Sequence, residues 1–221
     1  MADSKKCKEL LKRYSIARIP FIAINTIESP RALAILKEVS EDMMQPFFVH
    51  SLSKGFYDIS TERQISDERS VFGALEYIGD QMRRKQYMTF VLTETPALGS
   101  DNADARQLLE LANLADETGG VIIVLTNSPV WNQLQRLGML VHLDLPTEEE
   151  MYVIVKDYVD DYRAEIPVEW DDADVREVAS LLTGVTKIEA INVIAALIAN
   201  RSINKADIDE VRAAKDSPRS E

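Results

Sequence analysis

Short apolar runs alternate with amphipathic helical stretches through the first 146 residues, and few folds accept that alternation. The runs fall at residues 19–25, 47–50, 87–92, 121–125 and 139–143, and the fourth (Val-Ile-Ile-Val-Leu) has no polar position. A strand apolar on both faces is covered on both faces, which points to a parallel sheet rather than a half-solvated antiparallel one. Helical periodicity fills the intervals. Ile35, Leu36, Val39 and Met43 share one face after Ser29-Pro30, where serine suits a cap and proline a first turn. Val71, Leu75, Ile78 and Met82 mark a helix over 68–84, and Leu108, Leu111, Ala112 and Ala115 another over 104–116. A shorter helix is expected over 130–137, and a charged one over 4–14 precedes the first strand. Residues 51–67 are polar and weakly periodic, and read as a loop. Strand and helix alternate five times, which implies right-handed crossovers and helices on both faces of the sheet. The strand from Phe21 is expected to be central, between those from Val121 and Met139.

The pattern changes after Pro146. Thr147 followed by Glu150 is a capping-box signal. Helices are expected after it and over 171–182, 186–200 and 205–215, forming a small bundle. The sequence therefore reads as an α/β domain over 1–146, a helical domain over 147–215 and a disordered tail over 216–221.

Composition excludes several function classes. The 221 residues carry 25 Lys and Arg against 37 Asp and Glu, a formal charge of −12. Such a surface repels phosphate backbones and anionic membranes at long range. Two basic clusters, Lys5, Lys6, Lys8, Lys12 and Arg13, and Arg83, Arg84 and Lys85, read as solvated helix faces. One cysteine, Cys7, allows no internal disulfide, and two histidines give neither a zinc site nor a nucleophile–base pair. No run approaches the length that spans a bilayer, and the basic amino terminus has no apolar signal core behind it, so a cytoplasmic location is expected.

Several segments carry a resemblance to AAA-type ATPases. The third strand ends at Leu92-Thr93-Glu94, where that family places an acidic pair. The fourth ends at Leu125-Thr126-Asn127-Ser128, similar to its polar sensor segment. Leu143-Asp144-Leu145-Pro146-Thr147-Glu148-Glu149-Glu150 resembles the junction to the family's helical lid, and Leu182-Thr183-Gly184-Val185-Thr186-Lys187-Ile188-Glu189-Ala190 a lid helix start. Within the family, Tyr14, residues 21–25, the segment from Thr26 to Leu33 and the segment from Phe48 to Gly55 resemble the degenerate amino-terminal AAA-like region of plastid and cyanobacterial AAA proteins. The resemblance spans roughly residues 12–215. It implies a five-stranded parallel P-loop-type sheet and a lid.

The chemistry of that family needs a glycine-rich loop after the first strand, whose N–H groups and lysine hold phosphates while a hydroxyl holds Mg²⁺. Here the first strand runs into Thr26-Ile27-Glu28-Ser29-Pro30, with neither glycine nor lysine. Glu28 is expected to put a carboxylate at the anion position, outside the core, and Pro30 removes a donor. Thr93 stands where the metal-holding aspartate belongs, leaving Glu94 as a lone remnant, and Asn127 matches the sensor. No arginine lies near Gly184 to act as a second sensor. Thr26, Glu28, Thr93, Glu94 and Asn127 are thus expected as remnants of a nucleotide site, with no catalytic residue, metal or cofactor. The resulting expectation is a non-enzymatic regulatory, adaptor or assembly subunit. Its partner would be a protein, either an active AAA ATPase or a second copy, and neither a membrane nor, in the main, nucleic acid. Two other readings stay open: an atypical ATP binder or weak ATPase, and a clamp-loader-like accessory subunit.

Overall fold

The computed structural model describes residues 3–95 and 98–216. The elements run α1 (Ser4–Ile16), β1 (Phe21–Asn25), α2 (Ser29–Met43), β2 (Phe47–Ser51), β3 (Gly55–Asp58), β4 (Gln64–Ser66), α3 (Val71–Arg84), β5 (Thr89–Leu92), α4 (Ala103–Thr118), β6 (Val121–Thr126), α5 (Asn132–Arg136) and β7 (Gly138–His142). Four helices follow: α6 (Glu148–Tyr162), α7 (Asp172–Leu181), α8 (Lys187–Ile198) and α9 (Asp207–Asp216). The chain divides into two compact units, residues 1–144 and 145–221. Of the tail expected over 216–221, only Asp216 is among the described residues.

The first unit is built on a sheet in the order β4-β3-β2-β5-β6-β1-β7. The five expected strands are present and pair only in parallel with one another. β1 lies between β6 and β7 as expected, but it sits one position in from the edge rather than at the centre. The sheet is also wider than the sequence reading allowed. Residues 51–67, read as a loop, hold β3 and β4, which add antiparallel to the free side of β2. Their signal is weak because β4 is three residues long and largely exposed, so no alternation of buried and exposed positions marks it. Gly55 is the position that makes the pairing possible. It has φ +70, and a Cβ there would lie 2.4 Å from the Ser66 carbonyl oxygen.

Each buried strand feeds two cores, as period-two side chains require. Phe21 and Ala23 of β1, Phe90 and Leu92 of β5, and Ile122 and Val124 of β6 pack with α3 and α4. Ile22 and Ile24, Val91, Val121, Ile123 and Leu125 pack on the other side with α1 and α2. Two lysines of the amino-terminal basic cluster are engaged by α2: Lys8 reaches Glu38 at 2.9 Å and Lys12 reaches Asp42 at 3.1 Å.

The second unit packs α6 to α9 around Met151, Val155, Trp170, Val178, Ile194 and Val211. Capping boxes open three of its helices: Thr147 with Glu150, Asp171 with Asp174, and Thr186 with Glu189. The threonine-and-glutamate pattern after Gly184 therefore has a local cause, since each side chain satisfies a backbone N–H at the helix start.

A buried ion pair fixes the entrance to α2. Glu28, expected outside the core, is 5% exposed, and Arg31 one helical turn on is 8% exposed. Arg31 Nη1 lies 2.6 Å from Glu28 Oε2 and donates to the Asp144 carbonyl oxygen at 2.6 Å, while Nε donates to Ser4 Oγ at 3.0 Å. The i, i+3 spacing makes the pair local, and the other two contacts join the start of α1 and the end of the first unit to it. Removing one partner leaves a buried charge uncompensated, at a cost of about 3–5 kcal/mol. Glu28→Ala and Arg31→Ala are each expected to lower unfolding free energy on that scale in urea titrations. The double variant should cost less than the sum of the two. Additive losses would show that the residues act separately.

Candidate functional site

The carboxyl ends of β1, β5 and β6 stop at one level, and the segments leaving them surround a cleft of about 450 Å³. Thr26, Ile27 and Ser29 line it from the β1–α2 turn, and Thr93, Glu94 and Thr95 from the segment after β5. Leu125, Thr126, Asn127 and Ser128 complete it from the end of β6. The sheet thus brings Thr26, Thr93, Glu94 and Asn127 together, although they lie up to about a hundred positions apart in sequence.

Glu28 is the exception, and it corrects the sequence reading. Its carboxylate is turned under the α2 amino terminus to Arg31 and does not line the cleft. Its N–H is the part that serves the turn, donating to Thr26 Oγ1 at 3.0 Å. The turn is as short as the sequence suggested: Thr26, Ile27 and Glu28 alone separate β1 from α2. Thr26 N–H donates to the Thr126 carbonyl oxygen at 2.9 Å, which holds the turn against β6.

Glu94 is exposed and well held. Its Oε2 lies 2.5 Å from Thr93 Oγ1 and accepts from the Leu52 N–H at 3.2 Å. Thr93 also faces the His50 carbonyl oxygen, with its N–H at 3.2 Å and its hydroxyl at 3.0 Å. Asn127 Oδ1 accepts from Ser128 Oγ at 3.2 Å. Among the ten lining residues Glu94 alone is charged; seven others bring hydroxyl or amide groups, and two are aliphatic. Sequence reasoning did not select Ile27, Ser29, Thr95, Leu125, Thr126 and Ser128, of which all but Leu125 are adjacent in sequence to residues it did select.

Comparison with known proteins gives the family of the chain. Residues 7–143 match the family described as SpoVK-like AAA ATPase, N-terminal domain, and residues 149–217 match the one described as its second domain. The chain belongs to the SpoVK-like AAA ATPases. No curated protein matches the sequence. Among solved structures, a chain of the HORMA:CdnC:Trip13 complex of E. coli MS115-1 is similar in fold, with a TM-score of 0.69 at 10% identity over 96% of this chain and 88% of that one. C. elegans PCH-2 gives 0.66 at 9% identity over 96% and 68%. A point variant of Thermotoga maritima RuvB gives 0.60 at 12% over 95% and 68%. These likenesses establish the AAA fold of this SpoVK-like chain. Among its described residues, no helix is long and apolar enough to cross a membrane.

Behind Glu94 lies a histidine that the sequence reading left without a role. His50 of β2 is fully buried, with its ring 4.8 Å from that of Phe56. Nε2 lies 3.0 Å from the Glu68 carbonyl oxygen, and a carbonyl only accepts, so Nε2 carries the proton. Nδ1 is buried without a partner. A proton added there would meet no acceptor, and burial accordingly holds the ring's pKa below its usual value, against the opposing pull of the Glu68 carbonyl and of the Glu94 and Glu68 charges. Above pH about 6.5 the ring is neutral in both folded and unfolded chains. As pH falls through that value, the unfolded ring takes a proton that the buried ring refuses, so stability declines toward the lower folded value. His50→Gln retains a side-chain N–H and does not titrate. Denaturation midpoints compared at about pH 7.5 and about pH 5.5, either side of the free imidazole value, should therefore fall less in His50→Gln than in the parent. An equal fall in both would exclude His50 as the source.

Proposed function

We propose that this chain is a non-catalytic AAA module that works by protein–protein contact and receives a cationic side chain of its partner in the cleft. The observation that carries the reading is the charge of that cleft, where Glu94 is the one ionised group among the lining residues and is surrounded by hydroxyls and an amide. Hydroxyl, amide and carboxylate oxygens form an acceptor-rich lining, matched to the five donors of a guanidinium or the three of an ammonium.

A nucleoside triphosphate fits these residues poorly. A three-residue turn has no length to surround phosphates, Pro30 lacks an N–H, and no lysine is among the residues lining the cleft. Thr93 offers no carboxylate for Mg²⁺, and Glu94 would repel the phosphates. The exclusion does not come from Glu28, whose charge is matched by Arg31. We take an active AAA ATPase, or a second copy of this chain, as the partner class. In the solved complex from E. coli, Trip13 stands with HORMA and CdnC proteins, a precedent for a related fold in a multiprotein assembly.

Two measurements test the proposal. ATP with Mg²⁺ should leave the melting temperature unchanged, whereas binding at a hundredfold excess over Kd would add about 2.7 kcal/mol, a shift of several degrees for a chain of this size. A saturable shift would overturn the reading in favour of a nucleotide-binding protein. Glu94→Lys, at an exposed site, should leave folding intact by circular dichroism and weaken binding of the protein recovered with the native chain by roughly tenfold or more. Unchanged affinity would remove the cleft from the interface.

A further inference from the structure

The sheet ends in an unpaired strand whose geometry is self-complementary, and we infer that two copies of this chain join antiparallel through β7 to form one continuous sheet. Among the described residues, β7 pairs with β1 on one side and with no strand on the other. The ladder fixes which backbone groups are committed. Leu143 N–H donates to the Asn25 carbonyl oxygen at 3.0 Å, and in a parallel pair alternate residues face the same neighbour. Met139 and Val141 therefore turn their N–H and C=O groups to β1, while Gly138, Leu140 and His142 turn theirs away from the sheet.

An open row of donors and acceptors is a template for another strand, and proteins ordinarily blunt it with charge, proline or a bulge. β7 has none of these. Its open edge carries two large apolar side chains, Met139 and Leu140, 43% and 42% exposed. The occupant that fits is a second β7. A two-fold axis through Leu140 sets Leu140 opposite its own copy and Gly138 opposite His142 of the second copy. All three outward-facing positions then fall in hydrogen-bonded pairs, about six backbone bonds in all. The two Leu140 side chains meet on one face, while on the other Met139 is exposed and Val141 stays within its own core. Gly138, which has no side chain, leaves space beside the imidazole opposite it.

Charge agrees with this register. Beyond the strand ends, the segment carrying Arg136 comes beside the segment carrying Asp144 of the second copy. The net charge of −12 opposes any self-association, but at physiological ionic strength that repulsion is screened within about 8 Å. The inference stands apart from the cleft reading, because none of these residues lines the cleft.

The test uses the full chain. Sedimentation at physiological salt should show a concentration-dependent dimer, and Leu140→Lys, which sets two ammonium groups face to face, should weaken it by more than about tenfold with unchanged circular dichroism. Leu140→Cys should cross-link rapidly under mild oxidation, because hydrogen-bonded antiparallel partners lie about 5.5 Å apart between Cα atoms, within disulfide reach. Ile65→Cys on the opposite edge strand is the exposed control, and Cys7 is buried. A monomer at all concentrations would overturn the inference and leave the edge to a strand of another protein. A dimer indifferent to Leu140→Lys, or cross-linking of Leu140→Cys no faster than of Ile65→Cys, would overturn it too.

Discussion

The Arg31 guanidinium is the interaction on which the first unit's geometry turns. It is buried among groups that accept its hydrogens: the Glu28 carboxylate and the Asp144 carbonyl oxygen, with Ser4 Oγ accepting from Nε. These belong to the start of α1, the entrance to α2 and the last residue of the unit, three places far apart in sequence. Desolvating an arginine is costly, and the compensation here comes from directed contacts rather than from charge alone. The same contacts draw the Glu28 side chain away from the strand ends, so the crevice above β1 is shaped by Thr26 and Ser29 instead.

That displacement leaves the crevice to the groups of the turn itself. In P-loop folds the connection after the first strand presents N–H groups toward the sheet's carboxyl edge. In this SpoVK-like chain the connection is closed on itself, with the Glu28 N–H given to Thr26 Oγ1 and the Thr26 N–H to β6. Two of the turn's N–H groups are thus committed within the protein, and the side chains that line the crevice present mostly oxygen. The support beneath Glu94 has the same character, since the Thr93 hydroxyl lies between the Glu94 carboxylate and the backbone carbonyl oxygen of His50.

Much of this was legible in the sequence, for physical reasons that differ by region. Strands buried on both faces announce themselves as unbroken apolar runs, which is why β1, β5 and β6 could be found and their ends aligned. The cleft residues followed, because Thr26, Thr93, Glu94 and Asn127 sit at those ends. β3 and β4 were hidden because their evidence is a backbone approach at Gly55, not a side-chain pattern. Glu28 was misplaced because a charge at a helix start normally faces water, and only the partner three residues on, Arg31, could have signalled burial. His50 gave no signal at all, since its isolation depends on Phe56 and Glu68, one inside and one just beyond the segment read as a loop.

The strand order also sets a schedule for synthesis. β1 leaves the ribosome well before both of its neighbours, β6 and β7, which come from residues beyond 120. Roughly 100 residues must be added after β1 before even the first of the strands that flank it, β6, is complete, which at ordinary elongation rates is about 5–20 s. Contacts this distant in sequence make folding of the sheet slow, whereas the capped helices of the second unit close over short loops. During that interval the nascent amino-terminal segment exposes an apolar strand with nothing to pair it, a natural substrate for chaperones that bind extended hydrophobic chain.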